Sequence, residues 1–128
     1  MVRQKQSEYK CPLEATLEII GGKYKGITIG YLINKTLRYN ELQKLIPQAT
    51  PKMLIQQLKE LERDGIIKRT LYPVVPPKTE YSLTPRGKTL IPAIIELNKW
   101  GQNYLREENI PCAFNGDPEE IIKSLQEE

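Results

Sequence analysis

Between Thr50 and Gly65 the chain carries an amphipathic stretch with a signal at each end, and this segment dictates how the residues around it can fold. Thr50-Pro51 is a helix start, because a threonine hydroxyl can accept a free amide of the first turn and proline suits the first helical position. Gly65 is the stop. Between them Leu54, Leu58 and Leu61 recur at i, i+4, i+7 as a buried edge, while Lys52, Gln56, Lys59 and Arg63 recur at i, i+4, i+7, i+11 on the opposite side. An ordinary solvated surface helix has the same charged outer face, so the flanking segments decide between that and a binding surface.

After Gly65, Ile66-Ile67-Lys68-Arg69-Thr70-Leu71-Tyr72 is rich in β-branched and apolar residues, and Pro73-Val74-Val75-Pro76-Pro77 must turn. Lys78 to Leu83 resumes a strand pattern in which Tyr81 and Leu83 point one way and Lys78, Glu80 and Ser82 the other, so the two runs pair as a hairpin. Upstream, Tyr39 to Ile46 forms a first short helix with Leu42 and Leu45 inward, and Pro47-Gln48-Ala49 makes a tight connection to Thr50. Two short helices and a hairpin describe a winged helix-turn-helix, mainly α with a small β-hairpin wing (α+β), and a fold of that kind offers the second helix to duplex DNA.

Helices are expected on both sides of this reading head, which spans residues 38–84 of a single domain, 1–128. Pro12 to Ile20 sets Leu13, Leu17 and Ile20 on one face; Gly21-Gly22 interrupts; Tyr24 to Asn34 resumes with Ile27, Tyr31 and Leu32. Gly26 and Gly30 weaken that helix unless another backbone approaches closely there. Thr84-Pro85 repeats the start signal of Thr50-Pro51, and a longer helix is expected to about Arg106, broken or kinked near Lys88 by Pro92. Leu90, Ile94, Leu97 and Tyr104 form its stripe, with Ile91, Ile95 and Trp100 around it, more apolar surface than one helix on a small core needs. The surplus, together with Leu13 and Leu17, points to a homodimer interface built from helices within 12–34 and 85–106. A last helix is expected over 117–127, opened by Asp117-Pro118-Glu119-Glu120.

Charge is unevenly distributed: residues 1–90 hold 16 Lys/Arg against 8 Asp/Glu, and residues 91–128 hold 3 against 8. The basic excess therefore lies with the reading head, where neutralising phosphates releases counterions. Met1 to Lys10 lacks the apolar run of a signal peptide, and no stretch approaches the ~18 apolar residues of a membrane span, so a cytoplasmic protein is expected. With two cysteines, Cys11 and Cys112, and no histidine, neither a disulfide scaffold nor the usual zinc spacings are present, and no metal or other cofactor is expected. Nor is a catalytic residue, since no glycine-rich phosphate loop and no nucleophile with a recognisable base beside it can be found.

Four blocks of the chain carry a family resemblance: Cys11-Pro12-Leu13-Glu14-Ala15-Thr16-Leu17 with Ile20-Gly21-Gly22-Lys23-Tyr24-Lys25; Arg38-Tyr39-Asn40-Glu41-Leu42; Lys52-Met53-Leu54 with Gln57-Leu58-Lys59-Glu60-Leu61-Glu62-Arg63-Asp64-Gly65; and Tyr72-Pro73 through Pro76-Pro77-Lys78-Thr79-Glu80-Tyr81 with Leu83-Thr84-Pro85-Arg86-Gly87. In that order they resemble the HxlR-type transcriptional regulators, winged-helix DNA-binding proteins related to the MarR group. The resemblance covers roughly Cys11 to Tyr104 and departs at Tyr24, where the family usually has tryptophan, and at Gly26, where proline is common. It implies a cytoplasmic prokaryotic homodimer on an operator of two symmetry-related half-sites, usually a repressor and sometimes an activator.

Carried over residue by residue, the recognition helix is Thr50 to Asp64, with Lys52 and Gln56 as first choices for base edges. Thr50 and Gln57 are assigned to bases or phosphates, and Lys59, Arg63, Lys68, Arg69 and Lys78 to the DNA backbone. Cys11 is the residue with distinctive chemistry, set at a helix start with Lys10 beside it, surroundings that favour a thiolate able to attack oxidants and electrophiles. Some members of the resembled family sense reactive electrophiles through a cysteine at this position, in a few cases by bridging to a cysteine near the carboxyl end of the other subunit; by that resemblance Cys112 takes the resolving role. The plainer alternative is that Cys11 is a small apolar helix-start residue and Cys112 incidental. Two other functions stay open: a small-molecule effector between dimer helices lined by Tyr24, Tyr31, Trp100 and Tyr104, and a winged helix that meets an acidic protein partner.

Overall fold

The computed structural model describes residues 4–112, so the helix expected over 117–127 lies outside the described residues. In chain order these residues form α1 (Pro12–Ile20), α2 (Lys25–Tyr31), β1 (Leu37–Arg38), α3 (Tyr39–Leu45), α4 (Pro51–Arg63), β2 (Ile67–Tyr72), β3 (Lys78–Leu83), α5 (Pro85–Lys88) and α6 (Ile91–Glu107). The sheet is antiparallel with order β1-β3-β2, and its hairpin register pairs Ile67 with Leu83 and Tyr72 with Lys78. This is the winged helix-turn-helix expected from the sequence, with one strand more: Leu37 and Arg38 pair with Tyr81 and Glu80. Two residues are too short a run for alternation to signal a strand. Among the described residues no helix is long and apolar enough to cross a membrane.

The start and stop signals of α4 operate as read. Thr50 accepts the Met53 amide at 3.1 Å, Pro51 opens the first turn, and Gly65 follows with φ +75°, a conformation that L side chains rarely adopt. Leu54, Leu58 and Leu61 are buried together with Ile29, Leu32, Leu42, Ile46 and Ile67, side chains worth roughly 1.5–3 kcal/mol each on burial. In α3, Glu41 reaches back to the Arg38 amide at 2.9 Å, one half of a capping box. Leu42 is inward as expected, but Leu45 is exposed, and Ile46, just past the helix, fills the core in its place.

The hairpin is fastened to α4 at its root. The Thr84 hydroxyl donates to the Gly65 carbonyl at 2.5 Å and accepts the Gly87 amide at 3.0 Å, and Arg86 Nη1 donates to the Asp64 carbonyl at 3.2 Å. A Cβ on Gly87 would lie 2.1 Å from the Ile66 carbonyl oxygen, so only glycine allows α5 to sit this close to the start of β2.

Several flanking expectations need correction. The helix expected over Tyr24 to Asn34 is confined to Lys25–Tyr31, and the chain turns away through Asn34, at φ 56°. A Cβ at Gly26 would meet nothing within 4 Å, so no backbone approaches closely there. The break expected near Lys88 is present, with Thr89 and Leu90 between α5 and α6, but its cause differs: Pro92 falls in the first turn of α6, where its missing amide hydrogen removes no helical bond. The stripe along α6 also divides. Ile91 and Ile94 are buried in the chain's own core and Leu90 is packed against it, whereas Leu97, Trp100 and Tyr104 are exposed. On the amino-terminal side, α2 belongs to the core with Thr28 and Ile29 buried, while Leu13 and Leu17 of α1 are exposed.

The contact that joins α2 to α4 was not visible in any apolar pattern. Lys25 Nζ lies 2.6 Å from Glu60 Oε1, and the two side chains are only 3% and 6% exposed. Beside it the Tyr24 amide donates to Gln57 Oε1 at 2.8 Å and the Tyr24 hydroxyl to the Gln48 carbonyl at 3.3 Å. Removing one partner of such a pair strands a charge in the interior, whereas replacing both with apolar groups is far less damaging. Lys25→Met alone is therefore expected to lower the unfolding free energy by about 3–5 kcal/mol, read from urea unfolding, and Lys25→Met with Glu60→Leu to recover most of that loss. Equal losses in the single and the double variant would show that the charge pairing is not what holds the two helices.

Candidate nucleic-acid interface

The outward side of α4 presents Lys52, Met53, Ile55, Lys59 and Glu62 as exposed residues, with Gln56 half-buried between Lys52 and Lys59. Thr50 is exposed, yet its hydroxyl is engaged by the Met53 amide, so its first duty is to cap. Between this face, α3 and the sheet runs a groove of about 900 Å³, lined among others by Tyr39, Ile55, Lys59, Arg69 and Tyr81. Burial pushes the Tyr81 hydroxyl above its ordinary value, so it remains a neutral phenol in the floor of the groove.

Four of the residues singled out from the sequence are held differently from a free outward stripe. Gln57 faces inward and accepts the Tyr24 amide, so it fixes α2 and does not face outward. Arg63 folds onto the buried Asp64, with Nε and Nη2 at 3.3 and 3.2 Å from Oδ1, and among the described residues its Nη1 is buried without a hydrogen-bond partner. Arg69 pairs across to Glu62 at 3.7 Å, bridging β2 to α4. Lys78 lies 2.9 Å from Glu80 and 5.1 Å from the centre of the Tyr72 ring. The i, i+4, i+7, i+11 spacing placed Arg63 with the outer residues correctly as a helical position, but spacing does not register a neighbouring carboxylate. Lys52, Lys59 and Lys68 remain exposed. Sequence reasoning missed Arg38, exposed just ahead of α3 and paired in register with Glu80; the signal was the strand β1, which two residues could not announce.

Away from this face, Cys11 stands exposed at the N-cap position of α1 without a capping bond from its side chain, and the Lys10 amide donates to Glu14 at 3.1 Å across the same turn. Cys112 is also exposed, beyond α6. Trp100 and Tyr104 stack with ring centres 5.6 Å apart and planes 9° from parallel, on the same exposed side as Leu97. The four aromatics proposed to line an effector site are divided: Tyr24 is in the core, Tyr31 is half-buried with its hydroxyl pushed up by desolvation, and Trp100 and Tyr104 are on the surface.

The HxlR-like helix-turn-helix family matches residues 19–109. The chain is 55% identical over 94 residues to the HTH-type transcriptional regulator YdeP of Bacillus subtilis (strain 168), covering 73% of each. Among solved structures it is similar to the redox regulator HypR in its oxidised form, with a TM-score of 0.69 and 48% identity over 73% of this chain and 96% of that one. It is also similar to the HTH-type transcriptional regulator YtcD, with a TM-score of 0.71 and 46% identity over 75% and 98%.

The Glu80 carboxyl is held below its ordinary value, first by the hydrogen bond from Lys78 and then by the charge of Lys78, the Tyr72 hydroxyl and the charge of Arg38, against some desolvation. A depressed folded value means that the pair is whole above the ordinary carboxylate range and is lost only as pH falls through the lowered value. In an NMR titration of the Glu80 carboxyl, Lys78→Met is expected to move the midpoint up toward the ordinary range; an unmoved midpoint would assign the effect to Arg38 and Tyr72.

Proposed function

Because the chain belongs to the HxlR-like helix-turn-helix family and is a transcriptional regulator of that type, we propose that it acts in the cytoplasm as a homodimer in which two copies of α4 read the half-sites of one DNA operator. The observation that carries this is the outward ridge of Lys52, Gln56 and Lys59 on a capped, well-packed helix, fronting a groove closed on the far side by the wing. Lys52 and Gln56, nearer the amino-terminal part of the helix, serve base edges; Lys59 and Lys68 serve phosphates. Arg63, Arg69 and Lys78 contribute mainly by shaping the surface, because each already faces a carboxylate. The homodimer is supported by Leu13, Leu17, Leu97, Trp100 and Tyr104, large apolar side chains exposed on α1 and α6.

A thiol-dependent response is the second part of the proposal, favoured by the exposed Cys11 at the start of α1, the helix that carries Leu13 and Leu17. Oxidation or alkylation there alters the same surface on which the dimer is built, and the similar HypR is described as a redox regulator. Cys112 is the candidate to resolve an oxidised Cys11 across the dimer.

The test is a titration of DNA from the gene's own upstream region, with excess competitor duplex, on reduced and mildly oxidised protein. Specific binding that changes on oxidation in the parent but not in Cys11→Ser supports the thiol response. Specific binding indifferent to oxidation directs the search to a small-molecule effector, and no specific binding favours an acidic protein partner for the α4 ridge. In the same assay Lys59→Ala is expected to reduce the salt dependence by about one phosphate while Lys78→Ala changes it less. Trp100→Lys is expected to shift the protein to monomers in sedimentation and to weaken operator binding at least about tenfold; an unchanged dimer would remove α6 from the interface.

A further inference from the structure

A buried polar relay ends on the outward ridge of α4. Lys25 Nζ donates to Glu60 Oε1 at 2.6 Å, and the second carboxylate oxygen, Oε2, accepts from Gln56 Nε2 at 3.4 Å. Lys25 and Glu60 are buried, and Gln56 sits half-buried at the edge of the exposed face, one turn after Lys52 and one turn before Lys59. The stem of Lys25 runs so close over Gly22 that a Cβ there would lie 2.8 Å from it, which fixes the direction from which the ammonium arrives.

A carboxylate in an ion pair offers acceptors only, so a glutamine amide beside it must present its NH₂ and cannot present its carbonyl. The two ends of the Gln56 side chain are therefore not interchangeable. Its NH₂ faces Glu60, and its Oε1 is the end left for whatever lies before the ridge. Lys52 and Lys59 on either side can only donate, so Gln56 is the acceptor between two donors. In the DNA major groove an acceptor is matched by the amino group of adenine N6 or cytosine N4, whereas guanine O6 and thymine O4 present acceptors of their own.

We propose that Lys25 and Glu60 are positioning residues that hold Gln56 in one amide orientation, and that Gln56 thereby selects a base whose amino group faces the major groove, adenine or cytosine, on one strand of each half-site. The proposal rests on α4 reading DNA, as set out above. Neither Lys25 nor Glu60 touches DNA; both act through Gln56. The relay also makes base choice depend on α2, a helix on the far side of α4 from the DNA.

The experiment scores duplexes enriched from a randomised pool, base by base, for the parent, for Gln56→Ala and for the neutral pair Lys25→Met with Glu60→Gln. The amide placed at position 60 in that pair both donates and accepts, so it no longer imposes one orientation on Gln56. Thermal unfolding confirms that each variant is folded, and the apolar pair Lys25→Met with Glu60→Leu carries the same expectation should the amide pair not fold. At one position per half-site the parent is expected to prefer adenine or cytosine about tenfold over guanine and thymine on the same strand, and Gln56→Ala to flatten that position. The pair variant is expected to flatten it too while other positions keep their preference. On the parent alone, NMR is expected to show one Gln56 side-chain amide proton protected from solvent exchange; two rapidly exchanging protons overturn the proposal. If Gln56→Ala flattens a position that the folded pair variants leave selective, positioning by Lys25 and Glu60 falls while reading by α4 stands. A Gln56-dependent position that accepts adenine and thymine alike, or guanine and cytosine alike, on one strand overturns the proposal as well, as does a Gln56→Ala profile identical to the parent's. No enriched sequence at all overturns the reading by α4 and this proposal with it.

Discussion

A lysine and a glutamate 35 residues apart in sequence meet in the interior at 2.6 Å, and the two halves of the protein are held in register by that meeting. Apolar contacts alone would let α2 slide on α4, because leucine and isoleucine side chains are interchangeable neighbours. An ion pair is not: Lys25 has its partner at one position along α4 only, and displacement by a helical turn would leave both charges unpaired in the interior. Two further bonds lock the same junction, from the Tyr24 amide to Gln57 and from the Tyr24 hydroxyl to the Gln48 carbonyl. Gln48 precedes α4 and Gln57 and Glu60 lie along its inner side, so the junction grips the helix at both its start and its middle.

The wing depends on the other end of the same helix. Asp64 and Gly65 close α4, and their carbonyls receive Arg86 and Thr84, so the hairpin and α5 are tied to the last turn. Asp64 itself is buried and faces Arg63, with Lys5 at 3.8 Å. The groove in front of α4 thus has two walls that cannot move independently, one set by the helix and the other by a sheet fastened to its end. Such rigidity favours discrimination, since contacts to base edges are lost when their donors and acceptors shift by a fraction of an ångström.

The elements that were legible in the sequence are those whose signals are local. Thr50-Pro51, Gly65, the leucine spacing of α4 and the alternation of Lys78 to Leu83 each depend on residues a few positions apart, and each gave the right element with the right face inward. What escaped was carried by partners distant in sequence. Gln57 reads as an outer residue until Tyr24 arrives to bond it, the burial of Lys25 is set by Glu60 35 residues away, and Leu37-Arg38 becomes a strand only because β3 passes beside it. The break near Lys88 was legible but its cause was not: Pro92 falls in the first turn of a new helix and breaks no bond of the old one. For the candidate site, the helix that carries the outward ridge was legible and the orientation of its side chains was not.

Charge follows the same rule, and it bears on the proposed pairing of two reading heads. The basic excess of residues 1–90 suggests many phosphate contacts, yet Lys25, Arg63, Arg69 and Lys78 each sit beside a carboxylate of the same chain. Cations already facing carboxylates release few counterions when DNA arrives, so the exposed Lys52, Lys59 and Lys68 carry much of the electrostatic attraction of one head. An affinity built on so few contacts is modest. Joining two heads makes the second half-site an intramolecular event and multiplies the affinity without any new kind of contact. On that proposal the exposed Leu97, Trp100 and Tyr104 of α6 and the sparse free charge of α4 belong to one design. In the proposed homodimer a weakly charged head discriminates by its base contacts, and the apolar face proposed to pair the heads supplies the strength that the charge does not.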